Sequence, residues 1–366
     1  MPDPLIAALR LLSHFWLEEV RSDDLATIAA LPELAETLPH VDSAAVTDLA
    51  VEYQRLFGFN LPPYESIFVD PAAMLLAPAT ARVQALYRQA GWAPPAHARV
   101  GAPDHVGLEL LALAEIQAKA KAEAKEELAG LAHRLHTMHL ALWVPAFVLT
   151  LRRLTPHPFY AVLGELTLDL LLGTLPADSP FAIRHLGPPP VAGHSSFTIQ
   201  SRRPPMGNSQ LIDYPDPFPA LPPPPVYKDR LNPDEPVFEE NPDFSPPASI
   251  ELEMGLGLRE LVKRLLTPRE AGLFLTQADI TRISRTLDLP MVRGERSSML
   301  ETLFRQAGEY ELVPTLLDQL RQLLAEAEAA YQSWADEYPA WTAYSQAWRK
   351  RVTATRDLLT AGEEMS

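Results

Sequence analysis

Cysteine is absent from this 366-residue chain, which in one step removes disulfides, iron–sulfur clusters, thiolate zinc sites and cysteine nucleophiles. Basic residues are scarce: 31 Lys and Arg stand against 47 Asp and Glu, for a formal net charge of −16. Phosphate neutralisation needs clustered cations, so a general nucleic-acid binder is disfavoured and a basic partner suits the balance better. Long apolar runs are also missing. The longest, from Leu135 to Leu151, contains His136, His139 and Pro145 and falls short of the roughly 18 uninterrupted apolar residues of a membrane span. The first residues are acidic at Asp3, and Arg10 and His14 break the apolar stretch behind it, which is not a signal-peptide pattern. A soluble, cytoplasmic protein is expected. No window shows strict period-two alternation between turn residues, so strands are not expected and the chain reads as all-α.

What the chain has in quantity is apolar residues, 47%, and proline, 37 residues. The first is enough for two ordinary cores. Of the prolines, 17 lie between residues 181 and 250, including Pro188-Pro189-Pro190 and Pro222 to Pro225. Proline fixes φ and removes a donor, so this span is expected to be an extended linker. It separates a helical domain, 1–180, from a smaller all-helical accessory domain, 251–366.

In the first domain Leu5, Leu9, Leu12, Phe15 and Trp16 form one helical stripe, and Val46, Leu49, Ala50, Tyr53, Leu56 and Phe57 form another within 44–57. Further helices are expected over 71–91, 104–125, 126–153 with a kink at Pro145, and 159–172. In the second, Thr267-Pro268-Arg269-Glu270 has the order of a capping box, and Thr276 to Asp279 reads as another helix start. Helices over 297–307 and 313–338 follow, and a last one reaches about residue 359.

The chemistry-bearing segments are short. Tyr53-Gln54-Arg55-Leu56-Phe57 ends a helix; after a turn at Gly58, Pro62-Pro63-Tyr64-Glu65-Ser66-Ile67-Phe68 makes a stiff loop. Such a loop presents an aromatic ring and a carboxylate on a rigid support, suited to an apolar peptide with a basic end, unless Tyr64 simply plugs the core. Pro103-Asp104-His105 opens an apolar helical run. Asp104 is placed as its N-cap, with Gly107 in the position where a capping box would need a glutamate. Alternatively Asp104 and His105 form a hydrogen-bonded pair facing a ligand groove, with Glu109 one turn on. No nucleophile accompanies them, so no catalytic dyad is expected. His133, His136 and His139 recur every three residues without supporting carboxylates, which favours the border of the core over a metal site.

Taken in order, the helix end at Arg55-Leu56-Phe57, the Pro-Pro-Tyr-Glu-Ser-Ile-Phe loop, the Pro-Asp-His start leading to Leu108-Glu109-Leu110, and His139-Leu140-Ala141-Leu142-Trp143-Val144-Pro145-Ala146-Phe147 resemble the TorD/DmsD/NarJ family of redox-enzyme maturation chaperones. The resemblance covers residues 1–180. It implies an all-helical, cytoplasmic, non-enzymatic protein; separately, no metal site and no cofactor are expected. Such a protein binds the twin-arginine leader or N-terminal segment of a molybdenum-containing oxidoreductase subunit until the cofactor is inserted. It further implies that Tyr64 and Glu65 belong to the family's loop, that Asp104 and His105 match its leader-binding pair with Glu109 nearby, and that Leu56, Phe57, Trp143 and Phe147 line or support the groove. The family often has a glutamate before Pro-Asp-His where this chain has Ala102, leaving Glu65, Glu109 and Glu52 to make the rim acidic.

Three features fall outside that resemblance. Arg202-Arg203 is read as a charged pair in the tether. Tyr331, Trp334, Tyr338, Trp341, Tyr344 and Trp348 form an aromatic stripe at helical spacing, read as core. Residues 275–289 with Arg282, Arg285, Arg293 and Arg296 resemble a helix-turn-helix, the basis for an alternative reading as a ligand-responsive regulator. Asp279, Asp288, Glu295 and Glu301 dilute its basic face.

Overall fold

The computed structural model describes residues 3–176 and 257–361, apart from 39, 41, 97, 99, 156, 291 and 292. Among the described residues every regular element is helical, and the single β-type pairing is an isolated bridge between Tyr64 and His105. The Pro-rich span 181–250, with Arg202-Arg203, lies outside them.

Asp3 starts the first helix, Pro4–Leu17, by accepting the Leu5 N–H at 2.9 Å; Pro4 sits in the first turn, where its missing donor costs nothing. Leu9, Leu12, Phe15 and Trp16 are buried on its inner face, which packs on the long helix Val106–Glu123. Gly107 marks the closest approach. A Cβ there would stand 2.6 Å from the Leu17 side chain, and Ser13 Oγ donates to Gly107 O at 2.7 Å. Trp16 Nε1 reaches the helix Pro158–Gly173, donating to Thr167 Oγ1 at 2.9 Å.

Several expected boundaries are corrected. Residues 71–77 are not helical; the helix is Pro78–Gln89. Asp70 sets its start by accepting the Ala79 N–H at 2.7 Å, and Ala73 and Leu76 take left-handed φ values of 46° and 60° that no α-helix allows. The span 126–153 is three pieces: Glu126–Arg134, a π-helical turn Leu135–Leu140, and Ala141–Leu154. A π-turn inserts one residue without disturbing composition, so periodicity passes over it. Thr267 makes no cap bond. Its hydroxyl donates back to Lys263 O, and Pro268–Ala271 is one turn ended by Gly272 at φ 83°. Thr276 and Asp279 do form a capping box, at the start of Gln277–Thr286.

Pro145 lies inside Ala141–Leu154 and brings no N–H, so the Ala141 carbonyl four residues back lacks its usual donor. Trp341 Nε1 supplies one at 2.8 Å. Beside it Trp348 Nε1 donates to Leu142 O at 2.8 Å and the Tyr344 hydroxyl to Thr137 O at 2.7 Å. The aromatic stripe is therefore core, as read, and its partner is the helix of the first unit. Buried apolar residues of both units form one continuous cluster.

Candidate functional site

Two segments about forty residues apart in sequence are laced together at the site. Glu65 N–H donates to Asp104 O and Val106 N–H to Pro63 O, each at 3.0 Å. A proline at 63 costs this pairing nothing, since only its carbonyl is used. The Asp104 carboxylate accepts the Ser66 N–H at 2.8 Å and the Thr80 hydroxyl at 2.9 Å. It thus caps the short helix Glu65–Val69 rather than its own helix, which corrects the expectation. His105 takes that role at the start of Val106–Glu123, its Nδ1 accepting the Gly107 N–H at 3.1 Å. Asp104 and His105 are consequently no hydrogen-bonded pair. Burial pushes His105 down to about 3, so it is the neutral imidazole, edge-on to the Tyr64 ring with centroids 5.1 Å apart. Tyr64 Oη accepts the Gly101 N–H at 3.0 Å.

Opposite this pair of segments stands the π-turn. His139 Nδ1 and Glu65 Oε2 are 2.7 Å apart, a buried contact between the loop and Leu135–Leu140. Glu109 accepts from Trp143 Nε1 at 3.3 Å through Oε2, while Glu109 Oε1 and Ser66 Oγ are buried with no hydrogen-bond partner. Burial first, then the carboxylates of Glu65 and Asp104, raise Glu109 well above the usual carboxylate range and favour its protonated form. None of Glu65, Asp104, His105, Glu109 and Trp143 is more than 3% exposed. The expected acidic rim is instead an acidic interior. Glu52 is engaged elsewhere, by Arg55 at 2.6 Å and Thr155 at 2.7 Å.

The apolar residues expected at the site form its underside. Leu56 and Phe147 are buried; Phe57, partly exposed, lies 5.6 Å from Trp16 and 6.3 Å from Phe147 between ring centroids. Phe68 joins them, 5.5 Å from Trp143 and 6.1 Å from Phe147. Only Phe57 and Tyr64 of the expected residues keep partial exposure. Sequence reasoning left out His139 as the partner of Glu65 and Thr80 as a partner of Asp104. His139 did stand in the motif that ends Trp143-Val144-Pro145; nothing marked Thr80.

Among the described residues, no group of three or more His, Cys, Asp or Glu is placed to hold a metal ion. His136 instead contacts Leu171 O at 2.8 Å and is pushed down to about 4 by burial. Of the arginines in the helix-turn-helix reading, Arg282 faces Asp279 at 3.4 Å, Arg296 covers the Phe274 ring at 4.1 Å while donating to Leu275 O, and Arg285 and Arg293 are exposed. No helix among the described residues is long and apolar enough to cross a membrane.

The family model described as "Nitrate reductase delta subunit" matches residues 21–149. No curated protein and no solved structure matches the chain. The matched segment contains every residue of the site described above, from Leu56 to Phe147. Residues 21–149, about a third of the chain, are therefore similar to the nitrate reductase delta subunit family, of NarJ/TorD chaperone type.

Proposed function

We propose that this chain binds the N-terminal, twin-arginine-type leader of a molybdenum-containing oxidoreductase subunit in the cytoplasm, during cofactor insertion and assembly. What carries the reading is the convergence of three separated motif segments, 62–68, 103–109 and 139–147, on one buried polar site within the family segment. Glu65, Asp104 and the protonated Glu109 meet there beside His105 and His139, and a guanidinium entering the site would find carboxylate acceptors and favour the ionised form of Glu109. The orphan Glu109 Oε1 and Ser66 Oγ add unsatisfied hydrogen-bonding capacity. Phe57, Tyr64 and the rings beneath offer apolar area to the helical body of a leader.

Because the carboxylates are buried, a leader reaches them only when the loop 62–65 parts from Leu135–Leu140. The test is fluorescence anisotropy of the full chain with a labelled synthetic peptide that starts Arg-Arg and continues as an apolar helix. Binding should weaken on replacing both arginines by alanine, in Tyr64→Ala, and between 0.05 and 0.5 M salt, where screening shortens the electrostatic range. Affinity indifferent to both arginines and to salt would sink the proposal.

A further inference from the structure

The two walls of the site are joined by more than Glu65 and His139. One wall is the helix Glu65–Val69; the other is the path through Leu135–Leu140 into Ala141–Leu154. Each is held by the C-terminal unit, which lies outside the family segment. On the first wall, Arg269 Nη1 donates to Val69 O, the last carbonyl of its helix, at 2.9 Å. Phe274 lies against Phe68, ring centroids 5.5 Å apart. Phe274 is itself fixed from both sides, by Arg296 over its ring and by Arg153 Nη2 donating to its carbonyl at 2.7 Å. On the second wall, Trp341, Tyr344 and Trp348 donate to the carbonyls of Ala141, Thr137 and Leu142, which bracket His139 and end just before Trp143.

We infer that Arg269 and Phe274 are positioning residues of the site: through them the C-terminal unit clasps Glu65–Val69 against the His139 wall and sets how readily the walls part. The inference rests on the leader-binding reading for its purpose but not for its test. A closed state that must open before binding reduces apparent affinity by the fraction of molecules open, so weakening the clasp raises affinity.

The experiment uses the full chain with Arg269→Met and Phe274→Leu, which keep apolar bulk. The control is Leu303→Ala, a residue that packs within the C-terminal unit beside Ile280, Ser284 and Met299. Hydrogen exchange is followed by mass spectrometry over residues 64–70 and 103–108, whose amides Glu65, Ser66 and Val106 are protected by the bonds lacing the site. Both clasp variants should speed exchange there at least threefold while Leu303→Ala leaves it unchanged, and should bind the Arg-Arg peptide about three- to tenfold more tightly. Unchanged exchange in both clasp variants, equal acceleration by Leu303→Ala, or weaker peptide binding would overturn the clasp. Accelerated exchange with no peptide binding in any form would leave the clasp standing and remove the leader reading.

Discussion

Trp341→Phe tests the union of the two units at a single hydrogen bond. The substitution keeps an aromatic ring but removes the donor that Pro145 makes necessary at Ala141 O. Leaving a buried carbonyl unpaired costs about 1–3 kcal/mol, and the lost ring area among Tyr331, Trp334 and Tyr344 adds roughly 1 kcal/mol. The expected destabilisation is therefore about 2–4 kcal/mol. In a Pro145→Ala background residue 145 has an N–H of its own for Ala141 O. There only the packing loss remains, and Trp341→Phe should cost about 1 kcal/mol. The double-mutant cycle, measured by urea unfolding with far-UV circular dichroism, should give a coupling of about 1–3 kcal/mol. Equal costs in both backgrounds, within about 0.5 kcal/mol, would refute the claim that Trp341 replaces the proline's missing donor.

Acid should destabilise the fold through His105 and His136. Their folded values of about 3 and 4 lie below the ordinary 6.5, so the stability each contributes is present above about pH 6.5 and is lost as pH falls toward 4, at roughly 1.4 kcal/mol per pH unit each. Glu109 acts with the opposite sign: its raised value contributes stability that is present below about pH 4.5 and lost as pH rises. Glu109→Gln should therefore steepen the acid loss and His105→Asn, which preserves an N-cap acceptor, should flatten it; urea midpoints from pH 7 to 4.5 that are the same in all three proteins would contradict the burial argument. Asp104→Ala strips the Ser66 N–H and Thr80 hydroxyl of their charged acceptor and should cost about 3 kcal/mol, against about 1 kcal/mol for Asp104→Asn. Equal unfolding midpoints for these two variants would rule out the capping role. Gly107→Ala forces a Cβ against Leu17 and should cost about 1–3 kcal/mol, whereas Gly130→Ala, with open space around it in Glu126–Arg134, should be neutral or stabilising by up to about 1 kcal/mol. Thermal melts of the pair should differ in sign or by several degrees.

The helical class was legible because apolar spacing repeats over whole helices: Leu9, Leu12, Phe15 and Trp16 are buried as their period implies. The likeness to the family over residues 21–149 was legible from four short segments in order, since a motif survives even where its role is ambiguous. Less legible was anything that depends on a side chain reaching another element. Asp104 precedes a helix and looks like its cap, yet its carboxylate turns to Ser66 and Thr80, 38 and 24 residues away in sequence. Carboxylates in a loop look exposed, and Glu65 is instead buried because His139 meets it from across the core. The aromatic stripe announced burial without naming what it would be buried against. Its partner became intelligible only through Pro145, which periodicity marks as a kink and chemistry marks as an unpaired carbonyl.

Site-directed crosslinking tests the central claim most directly. A leader peptide beginning Arg-Arg, with a photoreactive residue just after the arginines, is irradiated with the full chain and the adducts are mapped by mass spectrometry. The account expects adducts concentrated on residues 56–66, around Phe57 and Tyr64, and competed away by unlabelled peptide. Adducts no more abundant than with a scrambled peptide, or mapped mainly to the surface hollow of Asp48, Val51 and His157, would contradict it.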